Sequence, residues 1–133
     1  MEDPGQIVTL MDYQQFCDQR SGYEFSALIG RGDPCLQVGH ELVYNSLGLA
    51  GEAGEFVEKI KKAIRMANID SFYGTIDDEK RLACLKELGD VMYYVSRCAN
   101  LLDSSLEEVA EIHKVKLLDR IERGVVKGEG DDR

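Results

Sequence analysis

Glu52 and Glu55 stand three positions apart, and so do Glu87 and Asp90. On a helix that spacing puts both acids on one side. Two such helices facing each other would gather four carboxylates around one small volume, which is costly unless a divalent cation neutralises it. Oxygen donors with no Cys and little His beside them favour Mg²⁺, with Mn²⁺ as its substitute, over zinc. A magnesium site of this kind points to phosphate chemistry. Other metal classes lack their signatures. His40 follows Gln37 by three and His113 follows Ala110, so no Glu-x-x-His pair of the di-iron bundles exists. No acidic loop has the spacing of an EF-hand.

A single Glu pair on a helix is ordinarily a solvated face. Here the acids sit among Leu49, Ala50, Ala53 and Phe56 in one segment, and Leu88, Val91 and Met92 in the other. Gly48, Gly51 and Gly54 accompany the first pair and Gly89 the second. Each glycine in a helix interior costs about 0.5–1 kcal/mol relative to alanine. Close helix approach, or room for ions and a ligand beside the carboxylates, would account for them.

The elements that must position these acids are helical. Leu42, Val43, Leu47, Ala50, Ala53, Val57, Ile60 and Ile64 recur at three and four, which predicts one long helix from about Leu36 to Met66. Leu82, Leu85, Leu88, Met92, Val95, Ala99 and Leu102 predict a second, and Leu106, Val109, Ile112, Leu117 and Ile121 a third. Ser104 or Ser105 can cap the third, with Glu107 and Glu108 in its first turn. A shorter helix is expected around Thr9 to Arg20. Glycine-bearing stretches at Arg20–Pro34 and Asn68–Asp78 join these pieces, the latter a lid or a connector. No strand alternation runs to useful length. The expected fold is an all-α bundle of four to five helices, completed by oligomerisation, with residues 1–123 as one domain and 124–133 as a charged, Gly-rich tail.

Composition narrows the function. With 25 acids against 16 bases, the chain carries a formal charge of −9. It is a poor partner for nucleic acid, where phosphate contacts need clustered Lys and Arg. A nucleotide site would therefore need metal and local bases. The most apolar run, Val91 to Leu102, is interrupted by Arg97 and too short to span a membrane. Cys17, Cys35, Cys84 and Cys98 form no C-x-x-C pair and read as reduced thiols. No signal peptide is visible, and a cytoplasmic location is expected.

The segment Leu47-Gly48-Leu49-Ala50-Gly51-Glu52-Ala53-Gly54-Glu55, followed by Glu87-Leu88-Gly89-Asp90-Val91-Met92-Tyr93-Tyr94, resembles the MazG-type all-α nucleoside triphosphate pyrophosphohydrolases. The resemblance runs from about Glu41 to Gly124. It implies a homodimer or homotetramer that splits the α–β bond of an NTP or dNTP, releasing the monophosphate and pyrophosphate. By motif position, Glu52, Glu55, Glu87 and Asp90 would be the Mg²⁺ ligands, with Glu52 or Glu55 accepting a proton from the attacking water. Lys59, and Lys116 with Arg120 on the last helix, are candidates to hold phosphates, although Lys59 also suits a surface pair with Glu55. Tyr94, one turn after Asp90, is a candidate to stack on a base or bond a phosphate.

Three departures from the family pattern bear on this. Gly51 stands where many members carry an acid, leaving four acids rather than five. The spacing between the acidic helices is longer than the commonest form. His113 stands where the last helix often carries Asn. Two other readings share the residues: a non-catalytic helical module that binds metal or nucleotide, and a dUTPase-type all-α pyrophosphatase.

Overall fold

The computed structural model describes residues 9–19, 34–66 and 77–125. Among them lie helices α1 (Leu10–Gln19), α2 (Pro34–Met66), α3 (Asp78–Leu101) and α4 (Leu106–Glu122), with no strand. The expected connections at 20–33 and 67–76, and the tail beyond residue 125, fall outside the described residues.

The starts of α1, α3 and α4 and the ends of α3 and α4 have local causes. Thr9 and Asp12 cap α1 reciprocally: the Thr9 amide donates to the Asp12 carboxylate at 2.9 Å, and the Asp12 amide to Thr9 Oγ1 at 3.1 Å. Asp77 opens α3 by accepting from the Lys80 amide at 2.9 Å. Of the two candidate serines, Ser105 caps α4, accepting from the Glu108 amide at 3.1 Å. Ser104 Oγ donates to the Glu108 carboxylate at 2.7 Å, so both serines serve the same turn. At the end of α3, Asp103 takes the left-handed conformation (φ 54°) usually given to glycine. Ser104 then closes back onto the Ala99 carbonyl at 3.0 Å. Gly124, at φ 70°, does the same for α4, and the Val125 amide reaches the Arg120 carbonyl.

The main packing is α2 against α3. Contacts pair residue 48 with 94 and residue 59 with 87, so the two helices run antiparallel. Helix α1 rests on α3 and α4, held by polar groups rather than by a large apolar face. Buried Gln14 accepts from the Leu106 amide at 2.9 Å, donates to the Ser104 carbonyl at 3.0 Å, and also donates to Asn100 Oδ1. Asp18 takes Arg97 Nη1 at 2.5 Å, which explains how an arginine is buried within the apolar run of α3.

The buried apolar set among the described residues is small: Cys17, Ala63, Cys84, Ala99 and Leu106. Cys17, Cys84 and Cys98 are free thiols. Much of the periodic apolar pattern instead faces outward. On α2, Val43, Leu47, Ala50, Gly54, Val57 and Ile64 are all exposed, at steps of three, four and seven. Leu82, Leu85, Leu88 and Met92 on α3 and Ile112, Val115, Leu118 and Ile121 on α4 are exposed as well. Among the described residues these side chains leave apolar surface on the outer sides of α2, α3 and α4. No helix among the described residues is long and apolar enough to cross a membrane.

Candidate metal centre

The antiparallel crossing of α2 and α3 brings Glu52 opposite Glu87 and Asp90. One carboxylate oxygen from each lies within 4.8 Å of the other two. Glu52 and Glu87 are half-buried and Asp90 is exposed, so the cluster opens to solvent on one side. Glu55 sits one turn further along α2, exposed and outside that trio. Burial raises the Glu52 pKa, and the negative charges of Glu55, Asp90 and Glu87 raise it further, in that order.

Lys59 brings a cation to the cluster. Its Nζ lies 3.2 Å from Glu87 Oε1, the Lys59 side chain 39% exposed and that of Glu87 12%. The pairing with Glu87 pushes the lysine pKa up. This is a different partner from the Glu55 expected of a simple surface pair. Lys62, by contrast, does form such a pair, with Glu58 at 3.2 Å. One ammonium against the three clustered carboxylates, with Glu55 a turn away, leaves the neighbourhood net negative.

A hard divalent cation fits these donors. Octahedral Mg²⁺ holds oxygens at about 2.0–2.1 Å, which places its ligand oxygens roughly 3–4 Å apart. Carboxylates within 4.8 Å on two rigid helices reach that spacing by small side-chain rotations. The open side leaves coordination positions for water and phosphate oxygens. Among the described residues no sulfur or imidazole joins the cluster, and its all-oxygen donor set suits a hard cation better than zinc.

Tyrosines border the carboxylates. The Tyr94 ring packs on the backbone of Gly48, and burial together with Tyr44, Glu52, Tyr93 and Asp90 raises its pKa. Tyr93 meets it edge-on, with ring centroids 5.2 Å apart. On the other side, Tyr13 Oη donates to the Gly89 carbonyl at 3.3 Å, beside Asp90. Burial, the Cys17 hydrogen bond and nearby charge including Asp90 raise the Tyr13 pKa, so its hydroxyl stays a donor.

The structure thus gathers Glu52, Glu87, Asp90, Lys59 and Tyr94 into one neighbourhood. Lys116 and Arg120 lie one turn apart on α4, both half-buried, on a helix that packs against α1 and α3. Tyr44 was not marked by any motif. Tyr44 lies one helical turn before Gly48, and that turn was the available signal. Tyr13 shows its link to Asp90 only once α1 is docked. Of the five glycines within the described helices, Gly48 answers to close approach, whereas a β-carbon at Gly39, Gly51, Gly54 or Gly89 would meet nothing within 4 Å.

Comparison with known proteins bears on the same region. The family model described as MazG nucleotide pyrophosphohydrolase domain matches residues 41–124, which include all four acids. The chain is 45% identical over 92 residues to the Gene 37 protein of Mycobacterium phage L5, an alignment covering 69% of this chain and 76% of the phage protein. No solved structure matches significantly.

Proposed function

Because this chain belongs to the MazG nucleotide pyrophosphohydrolase family, we propose that it hydrolyses nucleoside triphosphates at the α–β bond in a Mg²⁺-dependent reaction. The products are a nucleoside monophosphate and pyrophosphate. The observation that carries this reading is the convergence of Glu52, Glu87 and Asp90 from two facing helices within the matched region. Glu52, Glu87 and Asp90 hold the cation, with Mn²⁺ as substitute, and Glu55 supplies a further carboxylate. When bound, the cation offsets phosphate charge and polarises phosphorus toward attack.

The chain's own groups do the rest. Glu52, whose pKa is raised by burial and neighbouring acids, or Glu55 accepts the proton of the attacking water. Lys59 stands at the carboxylates' edge, where the leaving phosphates carry charge. Tyr94 offers a ring face beside the site for the base, and Lys116 with Arg120 supplies phosphate contacts. The exposed stripe Val43, Leu47, Ala50, Gly54, Val57 and Ile64 forms the contact of a homodimer or homotetramer, with small residues at its centre that let two helices approach. The protein works in the cytoplasm, without nucleic-acid or membrane partners.

The test is turnover of purified protein with MgCl₂ across the common NTPs and dNTPs and dUTP, with products resolved. Monophosphate plus pyrophosphate, abolished in Asp90→Asn, is expected. Diphosphate plus phosphate, or activity that survives Asp90→Asn, would overturn the reading. Preference for dUTP alone would make this a dUTPase-type enzyme.

A further inference from the structure

Lys59 and a divalent cation want the same carboxylate. Lys59 Nζ lies 3.2 Å from Glu87 Oε1, and Glu87 is also one of three acids whose oxygens converge within 4.8 Å. Glu87 is the more enclosed partner, its side chain 12% exposed against 39% for Lys59. An ammonium seated there partly neutralises the trio, so the crossing of α2 and α3 tolerates its own charge. The pair is open to solvent on the lysine side only, so the ammonium can leave Glu87 for water or a ligand while the carboxylate stays in place. Lys59 follows Glu52 by seven positions and Glu55 by four. Its flexible stem therefore leaves the ammonium free to turn from Glu87 toward a ligand on the open side of the cluster.

We propose that Lys59 is a stand-in cation: it occupies Glu87 in the cation-free protein, is displaced when Mg²⁺ binds, and then engages the phosphates that arrive with the metal. The proposal rests on the reading of Glu52, Glu87 and Asp90 as a cation site. Its consequence is an order of events. Metal binding releases the ammonium, so the bare protein holds metal less tightly than its acids alone would, and metal and polyphosphate strengthen one another.

The experiment is calorimetric and needs no turnover. Mg²⁺ is titrated into the free protein, and an α,β-methylene nucleoside triphosphate into protein saturated with Mg²⁺. Wild type is compared with Lys59→Met, with Lys59→Arg, and with Lys62→Met as a variant that removes an equal charge from the same helix. Lys62 pairs with Glu58 instead. Lys59→Met is expected to tighten Mg²⁺ by roughly three- to fivefold and to weaken the analogue by a similar factor. Lys62→Met should change neither by more than about twofold, and Lys59→Arg should stay near wild type for Mg²⁺. Unchanged or weaker Mg²⁺ binding in Lys59→Met would overturn the proposal, because the lysine would then be orienting Glu87 rather than competing for it. Equal effects from Lys62→Met would overturn it too, reducing the effect to net charge. Wild-type protein that binds no Mg²⁺ removes the cation site itself and the proposal with it.

Discussion

The ring of Tyr94 occupies the space that a side chain at Gly48 would need. A β-carbon built on Gly48 lies less than 3.0 Å from three atoms of that ring. The glycine and the tyrosine are thus one packing unit, and the tyrosine stands beside Glu52 and Asp90 because the glycine lets it.

Gly48→Ala is therefore expected to act against helix propensity. Alanine in an open helix position adds about 0.5–1 kcal/mol, but here it must push the Tyr94 ring aside, an overpacking cost of about 1–3 kcal/mol. Gly51→Ala, which meets nothing within 4 Å, should show the propensity gain alone. Urea unfolding of the two variants checks the opposite signs. Adding Tyr94→Ala to Gly48→Ala should remove the clash.

Glu52 makes stability depend on pH in a direction opposite to an ordinary salt-bridged acid. Its folded pKa is raised above the usual 4.5, by burial first and then by Glu55, Asp90 and Glu87. The folded chain thus holds this proton more tightly than the unfolded chain. The contribution is fully present below the unfolded pKa and is lost as pH rises through the folded one. In chelator, the urea midpoint of Glu52→Gln should gain on that of wild type as pH rises from about 4.5 toward neutrality. Saturating Mg²⁺ should reverse the order, since it stabilises only a folded chain that can bind it.

Gln14 holds α1 to the start of α4 with both ends of its amide. Gln14→Leu leaves the Leu106 amide buried without its partner, at an expected cost of about 1–3 kcal/mol. The neighbouring Gln15 is exposed, and Gln15→Leu should stay within about 0.5 kcal/mol. Denaturant unfolding distinguishes them.

Leu47 and Val57 are 68% and 62% exposed on the outer stripe of α2. If that stripe is covered by a second copy, Leu47→Glu or Val57→Glu withdraws about 1.5–3 kcal/mol of burial per side chain. The dissociation constant should rise by about tenfold or more. Sedimentation velocity over a concentration series reads the change directly.

Sequence reasoning reached the helices well because their signals are local. The three-and-four periodicity and the serine cap of α4 act within a turn or two. The three-residue spacing of the acids implies a shared face, and Glu52, Glu87 and Asp90 do converge, while Glu55 lies outside that trio. What it missed depends on packing. Leu82, Leu85 and Leu88 fit the periodic apolar face of α3 yet are exposed, since periodicity cannot say whether a face meets its own chain or another. The choice of Glu87 over Glu55 by Lys59, and the pairing of Arg97 with Asp18, join residues on different helices and leave no local trace.

The converging acids all belong to the α2–α3 hairpin, and Glu52 and Asp90 are only 38 positions apart in the chain. Closing a loop of that length costs little more than closing a shorter one, because the entropy grows only with the logarithm of length. The pairing of α2 with α3 is thus enough to bring the three acids together, and neither α1 nor α4 contributes a carboxylate to them.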